Sequence, residues 1–295
     1  MKVFSWDAVL GGEINLEDSF KDNDRLFALS KNGSALTIGA FDGPHLGHKK
    51  IFSSVLSESK LLHGVVTFSK PPRAVKEGTD FAGSLSSLHQ RLKRFADFGF
   101  DFVILIDFSL DFGKMSGRAF LDVLRTCLKM RFLAVGTNFR CGYQIDTGAE
   151  ELSAYAAEKK MTLELVPEFC IAEQHVSSSR IRNYIKKAEF GFAKDCLGYP
   201  YSIDCSSFEV IGIESENVFE KVIKLKPQSG FAQIMPPVGQ YNACIEVVFC
   251  DSDSKGEPEI NSFAGSCEVN PTFLSCRFSS QVACQKVQAI SFNVF

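Results

Sequence analysis

The stretch Ala35-Leu36-Thr37-Ile38-Gly39-Ala40-Phe41-Asp42-Gly43-Pro44-His45-Leu46-Gly47-His48-Lys49-Lys50 decides how the rest of the chain is read. Ala35 to Ile38 is a short apolar run of the kind that forms a buried strand. Gly39 and Gly43 bracket Phe41-Asp42 and mark a tight turn where backbone passes close to something. Beyond His45-Leu46-Gly47-His48, the residues Ile51, Phe52, Val55 and Leu56 share one face of a helix. Strand, glycine turn and helix start aim backbone N–H groups and the positive end of a helix dipole at one point, which suits a phosphate. Two histidines three apart at that entrance add side-chain donors. A glycine-bearing strand-to-helix turn is common and a single histidine is usually structural. H-x-G-H directly after a strand and F-D-G is a much narrower pattern.

T-I-G-A-F-D-G-P-H-L-G-H resembles the nucleotide-binding signature of prokaryotic FAD synthetases, the adenylyltransferase module of the bifunctional riboflavin kinase/FMN adenylyltransferase family. That family lies within the wider H-x-G-H nucleotidylyltransferase superfamily. The remaining sequence supplies further matches in the family's order. Gly64 to Phe68 reads as a second buried strand, and Ser69-Lys70-Pro71-Pro72-Arg73 stiffens the loop after it. This loop is a partial match to the family's T-F-x-P-H-P, with Lys70 and Pro71 at the first Pro and the His. The resemblance implies that it borders a flavin pocket, with Phe68, Pro72 and Arg73 as lining; Phe68 fits a plain core role equally well.

Leu88, Leu92 and Phe95 give helical spacing within Leu85 to Phe98, and Phe102 to Ile106 is the clearest buried strand. Asp107-Phe108 closes that strand at the end where open α/β sheets place ligands. Phe112 to Ser116 resembles the family's F-A-x-L-S, and Phe120, Leu124 and Leu128 mark an amphipathic helix. The strand Phe132 to Val135 runs into Gly136-Thr137-Asn138-Phe139-Arg140-Cys141-Gly142, similar to V-G-x-[DN]-F-x-F-G. Asn138 can both accept and donate at a strand's carboxyl end, or cap its own loop. Val176-Ser177-Ser178-Ser179-Arg180-Ile181-Arg182 resembles I-S-S-T-x-x-R. Hydroxyls at a helix start cap its free N–H groups or bind phosphate, and an arginine one turn on adds a charge-assisted donor. Leu197 to Ile203 resembles L-G-R-P-Y-S-I, the family's exit into the riboflavin kinase barrel.

The resemblance then breaks. After Ile203 no G-x-G-x-x-x-G-F-P-T-x-N phosphate loop is present. Ile234 to Ala243 resembles the barrel's P-P-x-G-x-Y-x-V, and apolar runs at Cys244 to Phe249 and Ala289 to Phe292 suggest a small β-barrel or sandwich.

Composition sets the outer bounds. The chain has 295 residues, 45% hydrophobic and 23% charged, with net charge −3, which argues against a broad polyanion-binding surface. No apolar run reaches membrane-spanning length and the N-terminus shows no signal-peptide h-region, so a cytoplasmic location is expected, with no nucleic acid or membrane partner. Ten cysteines show no C-x-x-C and no zinc spacing; six lie from Cys205 onward, where a disulfide-bonded region is one reading and buried free thiols the favoured one. Residues 1–33 read as a lead-in without chemistry.

The expected fold is a doubly wound parallel α/β sheet over residues 1–203, followed by a small β-rich domain over 204–295 resembling a degenerate kinase barrel. The resemblance implies adenylyl transfer from ATP to FMN, giving FAD and pyrophosphate, with kinase activity lost. It assigns His45, His48, Asn138 and Arg182 to catalysis. ATP would contact Gly39, Phe41, Asp42, Gly43, His45, Gly47, His48, Asn138, Ser177, Ser178, Ser179 and Arg182. The flavin would contact Phe68, Pro72, Arg73, Phe108 and Phe139. Mg²⁺ would arrive with ATP, and no residue is assigned as a metal ligand. Two other readings remain: an H-x-G-H transferase with another phosphorylated acceptor, and a flavin-nucleotide binding or regulatory protein. A retained kinase step would make the chain bifunctional.

Overall fold

The computed structural model describes residues 1–72, 81–108, 112–215, 220–249, 259–279 and 286–292. The chain forms two compact units, one of Met1–Phe81 with Arg91–Val176 and one of Ala82–Gln90 with Ser177–Phe295.

The first unit is built on six strands: β1 Lys2–Ser5, β2 Ser34–Ile38, β3 Leu62–Phe68, β4 Phe102–Ile106, β5 Met130–Gly136 and β6 Thr162–Val166. They lie in the order β1-β4-β3-β2-β5-β6, and each neighbouring pair is parallel. The central strands read as unbroken apolar runs because a parallel sheet is covered on both faces. Successive residues of each strand serve opposite faces. Leu36, Ile38, Val66, Ile104 and Leu133 pack with Trp6, Phe120, Leu121 and Leu124 on one side. Ala35, Val65, Val103 and Ala134 pack with Phe41, Phe52, Val55 and Phe95 on the other.

The order decides where a ligand can sit. From β2 the chain winds outward through β3 and β4, then returns to place β5 against the other edge of β2. The crevice between the carboxyl ends of β2 and β5 is the topological switch point, where open α/β sheets take ligands. The loops after these two strands carry Gly39 to His45 and Thr137 to Ile145. The lead-in residues add β1 as an edge strand on β4 and three short helices, Trp6–Leu10, Leu16–Ser19 and Asp24–Asn32. Asn15 and Asn23 cap the second and third of these helices with their side-chain oxygens. A two-residue hairpin, β7 Cys170–Ile171 and β8 Gln174–His175, completes the unit.

The second unit carries the helices Ser178–Lys186 and Phe190–Leu197 and seven strands. These are β9 Ser202–Asp204, β10 Glu209–Ser215, β11 Glu220–Lys226, β12 Gly239–Phe249, β13 Glu259–Val269, β14 Leu274–Ser279 and β15 Lys286–Phe292. They form one sheet in the order β10-β11-β14-β13-β12-β15-β9, with every neighbouring pair antiparallel. Ile203, Val222, Ile223, Ile245, Val247, Leu274, Phe278, Ile290 and Phe292 are buried in it. Residues 177–203 and 82–90 group with this sheet. For the latter the cause is hydrogen bonding: Ser84 N–H donates to Ala232 O at 2.6 Å and Ile234 N–H to Ser84 O at 2.9 Å. That pairing holds Ser84 in a β-bridge and a bend follows at Leu85 and Ser86, so the helix expected from Leu85 begins at Leu88.

Among the described residues no disulfide forms. Cys196, Cys205, Cys267 and Cys276 are buried, Cys127, Cys141 and Cys244 half-buried, and Cys170 exposed.

Candidate active site

His45 is the N-cap of the helix Leu46–Leu56. Its Nδ1 accepts from the His48 N–H at 3.3 Å, and His48 Nδ1 accepts from the His45 N–H at 3.4 Å. The two imidazoles thus form the reciprocal bonds that a Ser and a Glu make in an ordinary capping box. Their rings stack, with centroids 3.6 Å apart and planes 17° apart. Gly47 permits this, because a Cβ there would meet the His45 ring at 3.2 Å.

The pairing fixes the chemistry of both rings. His45 is 6% exposed, and burial draws its pKa down to about 4, with His175 adding to the effect. Burial also holds His48 well below the ordinary histidine range, helped by His45. Both rings are therefore neutral at pH 7. A neutral ring whose Nδ1 accepts carries its proton on Nε2, so each histidine keeps one Nε2–H donor. Two such donors at a helix start are groups that can serve an anion without fixed charge.

Phe41 holds the turn behind them. It has φ +46, a rare conformation for a bulky residue. Its ring is locked edge-on against His48 at 5.1 Å, Phe52 at 5.0 Å and Phe95 at 6.1 Å. A Cβ on Gly39 would meet that ring at 2.8 Å. Asp42 is buried at 3% exposure.

A cavity of about 930 Å³ opens beside the same loop. Ile38, Gly39 and Ala40 form one wall, with Phe68, Pro72, Phe108, Phe112, Met115, Phe120 and Phe139 among the rest. Phe68, Phe108 and Phe112 meet edge to face at 5.9 to 6.0 Å. Gly142 to Ile145 also borders it. The lining is largely apolar and aromatic, as in pockets that take cofactors, and it reaches Gly39 and Ala40 on the loop leading to the helix but does not include His45 or His48.

Of the residues singled out from sequence, Gly39, Phe68, Pro72, Phe108 and Phe139 line this cavity. Phe68 also packs against the adjacent core. Arg73 lies outside the described residues. Asn138 is exposed and its side-chain amide donates to Glu168, whose carboxylate also lies 3.5 Å from His175 Nε2. Ser177, Ser178, Ser179 and Arg182 belong to the second unit. There Ser177 caps the helix Ser178–Lys186 by accepting from the Arg180 N–H at 3.3 Å. Arg182 is buried and its Nε donates to Gly83 O at 2.8 Å.

One buried cation escaped the sequence reading. Arg91, on the helix Leu88–Phe98, is 1% exposed and reaches the loops after β2 and β3. Its signal was present: position 91 falls on the same face as Leu88, Leu92 and Phe95, where a charge is out of place. Among the described residues no three His, Cys, Asp or Glu side chains gather as a metal site.

Sheet order, switch-point crevice and capped helix entrance together define a Rossmann-like α/β protein. The chain belongs to the FAD synthetase family, whose profile matches residues 28–180. It is 29% identical over 177 residues to the bifunctional riboflavin kinase/FMN adenylyltransferase of Escherichia coli strain K12, covering 59% of this chain and 56% of that one. It is 31% identical over 179 residues to the putative bifunctional riboflavin kinase/FMN adenylyltransferase of Geobacillus thermodenitrificans, covering 59% of this chain and 94% of that one. The chain thus spans a little over half the length of the Escherichia coli relative it matches. Among solved structures, one titled macrolide-efflux protein from Streptococcus pneumoniae shares the fold. Its TM-score is 0.69 at 19% identity, over 88% of this chain and 92% of that one.

Proposed function

We propose that this protein transfers the adenylyl group of ATP to FMN, forming FAD and releasing pyrophosphate. The observation that carries the reading is the pair of neutral imidazoles, each with an Nε2–H donor, at a helix entrance beside an aromatic cavity of flavin size. The terminal phosphate oxygen of FMN is already an anion, so no general base is required. It attacks the α-phosphorus of ATP, the bond from that phosphorus to the bridging oxygen breaks, and pyrophosphate leaves. The barrier lies in bringing anions together and spreading charge, so positioning and hydrogen-bond donation are the protein's share.

On this reading His45 and His48 donate to the ATP phosphates, and Gly39, Phe41, Asp42, Gly43 and Gly47 shape the backbone around them. Asn138 serves the nucleotide, and the family resemblance alone gives Ser177, Ser178, Ser179 and Arg182 the role of holding the triphosphate and the leaving pyrophosphate. Phe68, Pro72, Arg73, Phe108 and Phe139 receive the flavin. Magnesium enters as part of the nucleotide substrate, keeping phosphate oxygens and water as its ligands. Residues 1–203 carry the adenylyltransferase motifs, and 204–295 a kinase-like segment without the phosphate loop and, on this reading, without kinase activity. A phosphoryl-transfer site without that loop lacks its main positioning element. On this reading the protein acts in the cytoplasm.

Single-turnover FAD formation by His48→Ala tests the reading. Loss of one transition-state donor should slow the step by about 10²-fold or more, with FMN binding retained. Near-normal turnover would remove His48 from the mechanism.

A further inference from the structure

Arg91 is buried among groups that belong to the site rather than to the core. Its Nη1 donates to Ala40 O at 3.1 Å, to Phe68 O at 2.9 Å and to Thr67 Oγ1 at 3.4 Å. Its Nη2 donates to Ser69 O at 2.8 Å. Thr67 Oγ1 in turn donates to Ala40 O at 3.1 Å. Ala40 starts the turn that leads through Asp42 to His45. Phe68 and Ser69 end β3. Ala40 and Phe68 both wall the aromatic cavity. One planar fork therefore ties the backbone that presents the histidines to the backbone that walls the cavity.

Burying a guanidinium is expensive, and an aliphatic side chain would fill the same space more cheaply. The fork is not even fully satisfied, since its Nε is buried without a hydrogen-bond partner among the described residues. A residue chosen only for packing would not be an arginine. What an arginine supplies is several donors in a rigid plane, which fixes the spacing of the carbonyls it meets.

Resting on the adenylyltransferase reading, we propose that Arg91 is a positioning residue that sets the nucleotide loop against the flavin wall, so that the two substrates meet in line. It touches neither substrate. Its loss should leave each substrate able to bind by itself and should slow the transfer between them, because small misplacements of reacting groups cost far more in rate than in affinity.

The test is Arg91→Lys, which keeps the charge and most of the volume but has no fork. FMN and Mg·ATP dissociation constants measured separately should stay within about threefold of wild type, while single-turnover FAD formation falls by about 30-fold or more. Thr67→Val, nearly isosteric, removes only the hydroxyl link and should show the same split at about three- to tenfold; it serves where the lysine variant does not fold. Guanidinium ion added to Arg91→Ala should restore part of the rate. An unchanged rate in folded Arg91→Lys or Thr67→Val, or a loss wholly explained by weaker binding, overturns the inference while the wild type still makes FAD. A wild type that makes no FAD overturns the functional reading and this inference together.

Discussion

His45 and His48 spend Nδ1 on each other's backbone N–H, and that single commitment sets tautomer, ring stacking and charge state at once. It also carries a pH signature. The unfolded chain protonates an ordinary histidine near pH 6.5, whereas buried His45 resists protonation until about pH 4. Between those values the unfolded state binds more protons, so stability falls as pH falls through that window and is fully present above it. The His45 contribution amounts to about 3 kcal/mol by pH 4, and His48 acts in the same direction. Urea midpoints of the wild type should drop from pH 7.5 to pH 5, and a His45→Gln variant should show a shallower drop. An equal slope in both would mean that the ring is not buried as neutral imidazole.

At the scale of elements, the legible parts were those fixed by local chemistry or by burial on both faces. β2, β3, β4 and β5 each show as apolar runs because neighbours cover both sides. β6 gives no such run, since exposed Thr162 and Glu164 alternate along this edge strand. H-x-G-H was legible because the cap, the glycine and both rings lie within four residues. Arg91 was visible only as a charge on an apolar face; its partners sit 22 to 51 residues away. The grouping of Ala82–Gln90 with the second sheet was not legible at all, since its bonds reach residues more than a hundred positions later.

The loop after β5 holds a different kind of feature. Gly142, Gln144 and Ile145 have φ of +84, +53 and +64, and a β-branched residue is the least suited to that region. Ile145 is 61% exposed and gains little from burial. Ile145→Asn, which tolerates the left-handed region, should therefore stabilise the fold by about 1 kcal/mol, read as a higher urea midpoint. A lower midpoint would show that Ile145 packs more closely than its exposure indicates.

At the scale of the whole molecule, the family profile covers residues 28–180, leaving the seven-stranded sheet outside it. That sheet is well filled, with buried thiols at Cys205, Cys267 and Cys276, and desolvation pushes the Cys205 thiol well above its usual pKa, which keeps it unreactive. The proposed function assigns adenylyl transfer to the motifs the profile covers and no kinase step to the sheet beyond them. The measurement that tests this most directly is incubation of the full chain with Mg²⁺, ATP and either FMN or riboflavin, with products separated by chromatography. FAD and pyrophosphate from FMN, with riboflavin left unchanged, is the predicted result. Flavin bound but unreacted in the FMN reaction, with no FAD formed, would contradict the central claim, and FMN appearing from riboflavin would contradict the loss of kinase activity.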